Sequence, residues 1–247
     1  MNNEAPIIIA LDVDSASAAR SLVRAIGPRA RFYKVGMELY AAAGSEFVRE
    51  LIAEGNRVFL DLKFYDIGET VKRAVSVVAG MGVEFLTIHA VGQVVRAAVE
   101  GAAGSNLTLL AVTVLTSFDE SDVREMGYEC SVRELVVQRV HTAVTAGAGG
   151  VVCSPLEVRQ VRSAAGPDVV LVTPGVRTAG ATVGDQKRVS TPKQALQDGA
   201  DYLVIGRQVT RAADPAGELE RIVAEIGELN RTRGGLGGRP QVEGLPH

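Results

Sequence analysis

Short apolar runs alternate with longer, helix-like stretches along the whole chain. The runs are Ile7–Val13, Arg31–Met37, Arg57–Leu60 continuing into Asp61-Leu62-Lys63, Phe85–Ala90, Thr108–Leu115, Gly150–Cys153, Val169–Thr173 and Tyr202–Ile205. Asp14-Ser15 is a plausible cap for an Ala-rich amphipathic stretch that reaches Ile26 and is broken by Gly27-Pro28. Gly44-Ser45 is expected to open the next helix, which stops near Gly55, and a Val- and Ala-rich helix follows Gly92. A polar excursion to about Ser131 precedes a long helix ending near Ala146, and a last helix runs from Asp214-Pro215 to Leu229. The sixth, seventh and eighth runs are closed by Ser154-Pro155, Pro174-Gly175 and Gly206-Arg207.

Eight strands with intervening helices predict a single α/β domain, a (β/α)8 TIM barrel with its active site at the C-terminal ends of the strands. The competing arrangement is a doubly wound open sheet. No GxGxxG follows the first strand and GxxxxGK[ST] occurs nowhere, so nucleotide-fold fingerprints are missing. The barrel is expected to occupy residues 1–230. Residues 231–247 are rich in Gly and Pro, lack apolar periodicity and read as a disordered tail without chemistry.

Composition narrows the class. At 247 residues and 47% hydrophobic content, the chain can bury a sizeable core. A net charge of −3, with both signs mixed, gives no basic block for nucleic acid. Cys130 and Cys153 have no metal-ligand spacing; reduced thiols are the simpler reading, with one disulfide as the alternative. Met1–Pro6 lacks a basic segment, and the apolar run after it is too short for a signal peptide or a membrane span. The expectation is a soluble cytoplasmic protein without a membrane or nucleic-acid partner.

The candidate chemistry gathers at the third strand, in Asp61-Leu62-Lys63-Phe64-Tyr65-Asp66. Strand alternation puts Asp61 and Lys63 on one face and Leu62 on the other, with Asp66 just past the strand. Charges placed directly after an apolar run are costly unless paired, so a structural ion pair is the bland alternative. Asp12, Lys34, His89, Thr116, Arg177 and Arg207 stand at other strand ends and would converge on the same mouth. No His, Cys and carboxylate set has metal-ligand spacing, and no Ser-His-Asp pattern is evident. The loops after the seventh and eighth strands, Thr173-Pro174-Gly175-Val176-Arg177 and Gly206-Arg207, suit an anion: glycine lets backbone N–H groups approach, and arginine offers a fork of donors. Gly184-Asp185-Gln186 lies on the connection between them and could reach over the ligand.

With these segments in place, residues 6 to about 215 resemble the orotidine 5′-phosphate decarboxylase family, bacterial type. The resemblance is carried by Ala10-Leu11-Asp12, Lys34 to Tyr40, Asp61-Leu62-Lys63-Phe64, Asp66-Ile67 with Thr70-Val71, His89-Ala90, and Leu115-Thr116-Ser117. It continues through Val151 to Pro155, Thr173 to Arg177, Gly184-Asp185-Gln186 and Val204-Ile205-Gly206-Arg207. The chain departs at Tyr65, Gly68 and Glu69, where the family commonly has His, Pro and Asn. Gly68 is shared with a magnesium-dependent sister family of sugar-phosphate decarboxylases and aldolases. That sister family places a metal-binding Glu on the second strand, where this chain has Lys34, which would repel a metal.

The resemblance implies conversion of orotidine 5′-monophosphate to uridine 5′-monophosphate and carbon dioxide, with no cofactor and no metal. It assigns Lys63 to the developing charge and proton at C6, within an alternating Lys34–Asp61–Lys63–Asp66 array. Asp12 and Thr70, with Lys34 nearby, would hold the ribose, and Thr116 would read the pyrimidine edge. Gln186, Gly206 and Arg207 would grip the phosphate beside Pro174, with Arg177 on the closing loop. It further implies a homodimer in which Asp66 and Thr70, expected on the loop leaving the third strand, complete the neighbour's site. His89 is set aside as a hydrogen-bonded core residue and Cys153 as a small buried one. The magnesium-dependent sister activity and a catalytically silent nucleotide-phosphate binding barrel are the rival readings.

Overall fold

Strands rich in Val, Ile, Leu and Phe on both faces can be buried only between two layers, and here the second layer is the barrel's own interior. A computed structural model describes residues 5–178 and 190–230. Eight parallel strands close in chain order: β1 (Ile7–Ala10), β2 (Phe32–Gly36), β3 (Arg57–Phe64), β4 (Phe85–His89), β5 (Thr108–Val112), β6 (Gly150–Val152), β7 (Val170–Pro174) and β8 (Tyr202–Ile205). The pairing of Ile7, Ile8 and Ile9 with Leu203, Val204 and Ile205 shuts the barrel and excludes the open sheet. The helices are α1 (Ala16–Ile26), α2 (Met37–Ala53), α3 (Gly68–Ala79), α4 (Gly92–Ala102), α5 (Glu120–Glu125), α6 (Val132–Thr145), α7 (Val158–Ala165), α8 (Pro192–Asp198), α9 (Arg207–Thr210) and α10 (Pro215–Asn230). Gly184, Asp185 and Gln186, and the expected tail at 231–247, lie outside the described residues.

Alternation along each strand divides the apolar residues into two cores. Ile7, Ile9, Tyr33, Val35, Val58, Leu60, Leu86 and Ile88 face outward into the layer shared with the helices. Ile8, Ala10, Phe32, Phe59, Phe85, Leu110, Val172 and Val204 face inward and fill the barrel. A fully buried aliphatic or aromatic side chain of this kind contributes roughly 1.5–3 kcal/mol. The floor is sealed by aromatic packing, with Phe32 and Phe85 ring centres 5.2 Å apart and Tyr202 at 5.7 and 5.4 Å from them. Below it, the Arg57 guanidinium lies 4.1 Å from the Phe32 ring centre and donates to both Glu84 oxygens at 2.6 and 2.5 Å. Two residues further up the same inward rows stand Lys34 above Phe32, Asp61 above Phe59 and Thr87 above Phe85. The period that builds the core thus carries the polar residues to the mouth.

Local signals account for most boundaries. Ser15 caps α1, accepting from the Ala18 N–H at 3.3 Å, and capping boxes Asp119/Asp122 and Ser131/Glu134 start α5 and α6 within the polar excursion. The second helix departs from expectation. It starts at Met37, directly after β2, and Gly44 (φ 66°, ψ −170°) is a break inside it rather than its start. The run from Met37 to Ala43 is rich in strong helix formers and buries Leu39, so helix needs no loop before it. Thr70 also differs: it lies in the first turn of α3, not on a loop.

Gly150 shows how tightly the barrel wall is drawn. A Cβ there would lie 2.5 Å from Leu110 Cδ2 and 2.6 Å from the Val170 carbonyl oxygen. Gly150→Ala is therefore expected to destabilise the fold by ~1–3 kcal/mol, as overpacking does, lowering the thermal midpoint by ~2–4 °C per kcal/mol. An unchanged melting curve would show that the wall yields at no cost.

Candidate active site

The end of β3 is irregular where the chemistry gathers. Leu60 pairs with Leu86 and Phe64 with Ile88, so β3 spends four residues where β4 spends two. Lys63 absorbs the excess at φ 50°, the only non-glycine residue with positive φ among the described residues. Such a conformation costs on the order of 1–3 kcal/mol and clusters at functional sites.

Charges of opposite sign alternate around Asp61. The Lys63 ammonium is 2.8 Å from Asp61 Oδ1 and the Lys34 ammonium 3.5 Å from Oδ2. Lys34 Nζ also donates to Asp12 Oδ1 at 2.7 Å, so its ammonium stands between two carboxylates. Gly36 leaves room for this pair, since a Cβ there would lie 3.1 Å from Lys34 Nζ and 3.3 Å from Asp12 Oδ1. The Asp61 side chain is only 14% exposed and that of Lys34 10%. Burial alone would push the Asp61 carboxyl up. The Lys34 and Lys63 charges, with hydrogen bonds from Lys63 and Thr87, outweigh burial and hold it below the usual carboxylate range. Asp61 is therefore ionised at neutral pH.

Above this array is a cavity of about 460 Å³, within the range of small-ligand sites. Its wall has three sectors. Asp12, Lys34, Asp61 and Lys63 form the charged one; Val112, Val114, Leu115, Val152 and Val204 the apolar one, with Thr116 at its edge. Pro174, Gly175, Arg177, Gly206 and Arg207 form the third, at the ends of β7 and β8. Arg211 and Glu38 also line the cavity, without a role in the sequence reading. Arg211 was visible in principle, four residues beyond Arg207 at the end of the short α9.

Asp66 and Thr70 are not among the residues lining this cavity. The exposed Asp66 carboxylate accepts from the Ile67 N–H at 2.7 Å, so within one chain the alternating array ends at Lys63. Thr70 is exposed on α3. His89 is no core residue: it stands half-buried at the mouth, its ring 5.3 Å from that of the exposed Tyr65. Burial, then the charges of Arg139 and Lys63, lower its pKa. Cys153 is fully buried, and both cysteines are free, which removes the disulfide alternative.

Several supporting residues carry no sequence signal of their role. Arg139 on α6 donates to the Thr113 carbonyl at 2.5 Å and to the Tyr128 hydroxyl at 3.2 Å, tying down the segment that bears Thr116. Gln208 donates to Thr178 Oγ1 at 2.6 Å and to Glu218 at 2.8 Å, anchoring the chain just past Arg177 to α9 and α10. Among the described residues, no group of three or more His, Cys, Asp or Glu side chains is placed to hold a metal ion, and no helix is long and apolar enough to cross a membrane.

Comparison with known proteins agrees with this geometry. The family model described as "Orotidine 5′-phosphate decarboxylase / HUMPS family" matches residues 5–222. A Bradyrhizobium protein named orotidine 5′-phosphate decarboxylase is 50% identical over 220 residues, covering 89% of this chain and 90% of its own. A Nitrobacter winogradskyi protein of the same name is 48% identical over 225 residues, covering 91% and 94%. The crystal structure of orotidine 5′-phosphate decarboxylase from Lactobacillus acidophilus superposes with a TM-score of 0.80 at 37% identity, covering 90% of this chain and 98% of that one. The chain with the Asp61-centred barrel mouth belongs to the orotidine 5′-phosphate decarboxylase / HUMPS family.

Proposed function

We propose that this chain decarboxylates orotidine 5′-monophosphate to uridine 5′-monophosphate, completing UMP synthesis in the pyrimidine pathway, and that it does so without a cofactor. The observation that carries this reading is the ionised, largely shielded Asp61 shared by two ammonium groups under a cavity with an arginine-lined edge. The catalytic unit is the barrel, residues 1–230, working in the cytoplasm.

Loss of carbon dioxide breaks the bond between C6 and the carboxyl carbon and leaves the electron pair on C6, which has no good electron sink. The Lys63 ammonium stabilises that charge and then gives C6 a proton, becoming a neutral amine that solvent reprotonates. Asp61, 2.8 Å away, supplies the opposite charge that balances the ammonium in the site. Repulsion between Asp61 and a substrate carboxylate at ~4 Å, with an effective dielectric of ~20, amounts to ~4 kcal/mol, or about three decades of rate. A larger acceleration needs transition-state stabilisation by Lys63 as well. Asp12 and Lys34 meet the ribose hydroxyls, and Thr116 reads the pyrimidine edge against the valine wall. Pro174, Gly206, Arg207 and Gln186 grip the phosphate, and Arg177 closes over it. Phosphate binding far from C6 supplies energy for closure.

The working form in this reading is a two-fold homodimer in which Asp66 and Thr70 of each chain complete the other's site. The exposure of both residues supports it, as do the neighbouring apolar side chains Tyr65 (66% exposed) and Ile67 (71%).

Absorbance assays should show orotidine 5′-monophosphate turnover that persists in EDTA; complete loss restored by magnesium would point to metal-dependent chemistry instead. Lys63→Ala and Asp66→Ala homodimers should each be nearly dead. Random subunit exchange makes about half the dimers mixed, each with one intact site, so activity should return to roughly a quarter of wild type. Proven exchange with no recovery would place Asp66 in its own barrel's site.

The His89 ring should be neutral at pH 7, because burial and the Arg139 and Lys63 charges lower its pKa. Its NMR titration should fall below the ordinary value of about 6.5. A lowered folded-state pKa contributes stability above the unfolded value of about 6.5 that is lost as pH falls through the folded value. His89→Gln should therefore reduce the difference in denaturant midpoint between pH 7.5 and 5.5. A midpoint above 6.5 would contradict the assignment.

A further inference from the structure

The geometry points to Thr87 as a positioning residue that holds Lys63 in its left-handed conformation and ties that backbone to Asp61; this rests on the proposed role of Lys63 at C6. Thr87 follows Phe85 and precedes His89 on the inward row of β4 and is only 1% exposed. Where β3 and β4 lose register, its hydroxyl takes the place of a ladder acceptor. Thr87 Oγ1 accepts from the Lys63 backbone N–H at 2.9 Å and donates to Asp61 Oδ1 at 2.9 Å. The same Asp61 oxygen accepts from Lys63 Nζ at 2.8 Å.

These contacts form a closed ring that begins and ends on Lys63: backbone N–H, Thr87 hydroxyl, Asp61 carboxylate, ammonium. Its polarity is fixed. An amide N–H can only donate and an ionised carboxylate can only accept, so the atom between them must do both, as a hydroxyl does. Burial leaves no solvent to take its place. The left-handed backbone needs surroundings that hold it, and this bond does so directly. Without the hydroxyl, the Lys63 N–H loses its acceptor, Asp61 loses a donor, and the ammonium is no longer aimed from both ends.

The consequence should fall on turnover and spare binding, because the Thr87 hydroxyl bonds to Lys63 and Asp61 and not to Asp12 or Lys34, and the anion-binding residues form another sector of the cavity wall. Thr87→Val keeps the shape and branching but removes the hydroxyl. It is expected to lower kcat about ten- to hundred-fold, the worth of one hydrogen bond to a charged group, with affinity for uridine 5′-monophosphate within ~3-fold of wild type. Thr87→Ser restores the hydroxyl and should recover kcat to within ~3-fold. If Thr87→Val does not fold, Thr87→Ala is read by the same two measurements. Lys63→Ala is measured in parallel. If it is dead while the hydroxyl-free variant keeps wild-type kcat, the assignment to Thr87 is overturned. A Ser variant as slow as the hydroxyl-free one, or product affinity falling in step with kcat, overturns it too. A Lys63→Ala variant that still turns over removes the proposed role of the lysine instead.

Discussion

An ionised carboxylate can remain at the top of a barrel interior only if opposite charge reaches it, and Asp61 holds two ammonium groups and a hydroxyl at its oxygens. Much else in the upper barrel answers to that requirement. Lys34 reaches Asp61 because Phe32 and Lys34 share an inward row, and it is balanced in turn by Asp12 at 2.7 Å. Gly36 omits the side chain that would crowd the pair. Asp61, with its side chain 14% exposed, is the shielded member and Asp12, at 54%, the open one, so loss of either lysine weighs most on Asp61.

The barrel supplies the positions and the loops supply the selectivity. Parallel strands deliver their C-terminal ends to one rim, so residues distant in sequence meet without long side chains. The order of the sectors largely follows chain order: charged residues come from the ends of β1 to β3, most of the apolar wall from β5, the segment after it and β6, with Val204 added from β8, and the arginine sector from the ends of β7 and β8. A ligand charged at one end, flat and weakly polar between, and reactive at the other matches that sequence of surfaces. In the proposed reaction this separation lets the anion contacts supply binding while the reactive end is left to the transition state.

What the sequence made legible was whatever depends on period and punctuation. The eight apolar runs, the inward row containing Asp61 and Lys63, and the glycine-rich ends of β7 and β8 all follow from alternation and breakers. What escaped depends on partners from other elements. The left-handed Lys63 has no local cause, since lysine does not favour that conformation; it follows from a register shift and from Thr87 on the next strand. Arg139 looked like any arginine in a helix until its contacts with Thr113 and Tyr128 were seen. Gly44 misled for a different reason. A glycine beside a serine reads as a start, but the residues before it were already helical and the glycine only bends the path. Thr70 reads as a loop residue in the sequence, because a glycine, Gly68, opens α3 without a side-chain cap.

The strain at Lys63 weakens the fold at the strand end where Asp61 gathers its counter-charges. A left-handed lysine costs on the order of 1–3 kcal/mol, a sizeable share of the ~5–15 kcal/mol by which domains are ordinarily stable. Such a defect persists when its surroundings leave no cheaper arrangement. The lower part of β3 is held in register with both neighbours, and Phe59 is packed into the inner core, so the irregularity cannot spread downward. Above it, Phe64 resumes pairing with Ile88 and packs against the outer core, so it cannot spread upward. The bulge is confined to the residues that carry the charges, and relaxing it would turn Lys63 away from Asp61. Stability lost at the mouth is thus inseparable from the geometry that the proposed chemistry needs, and the closed cores below and around it make that loss tolerable.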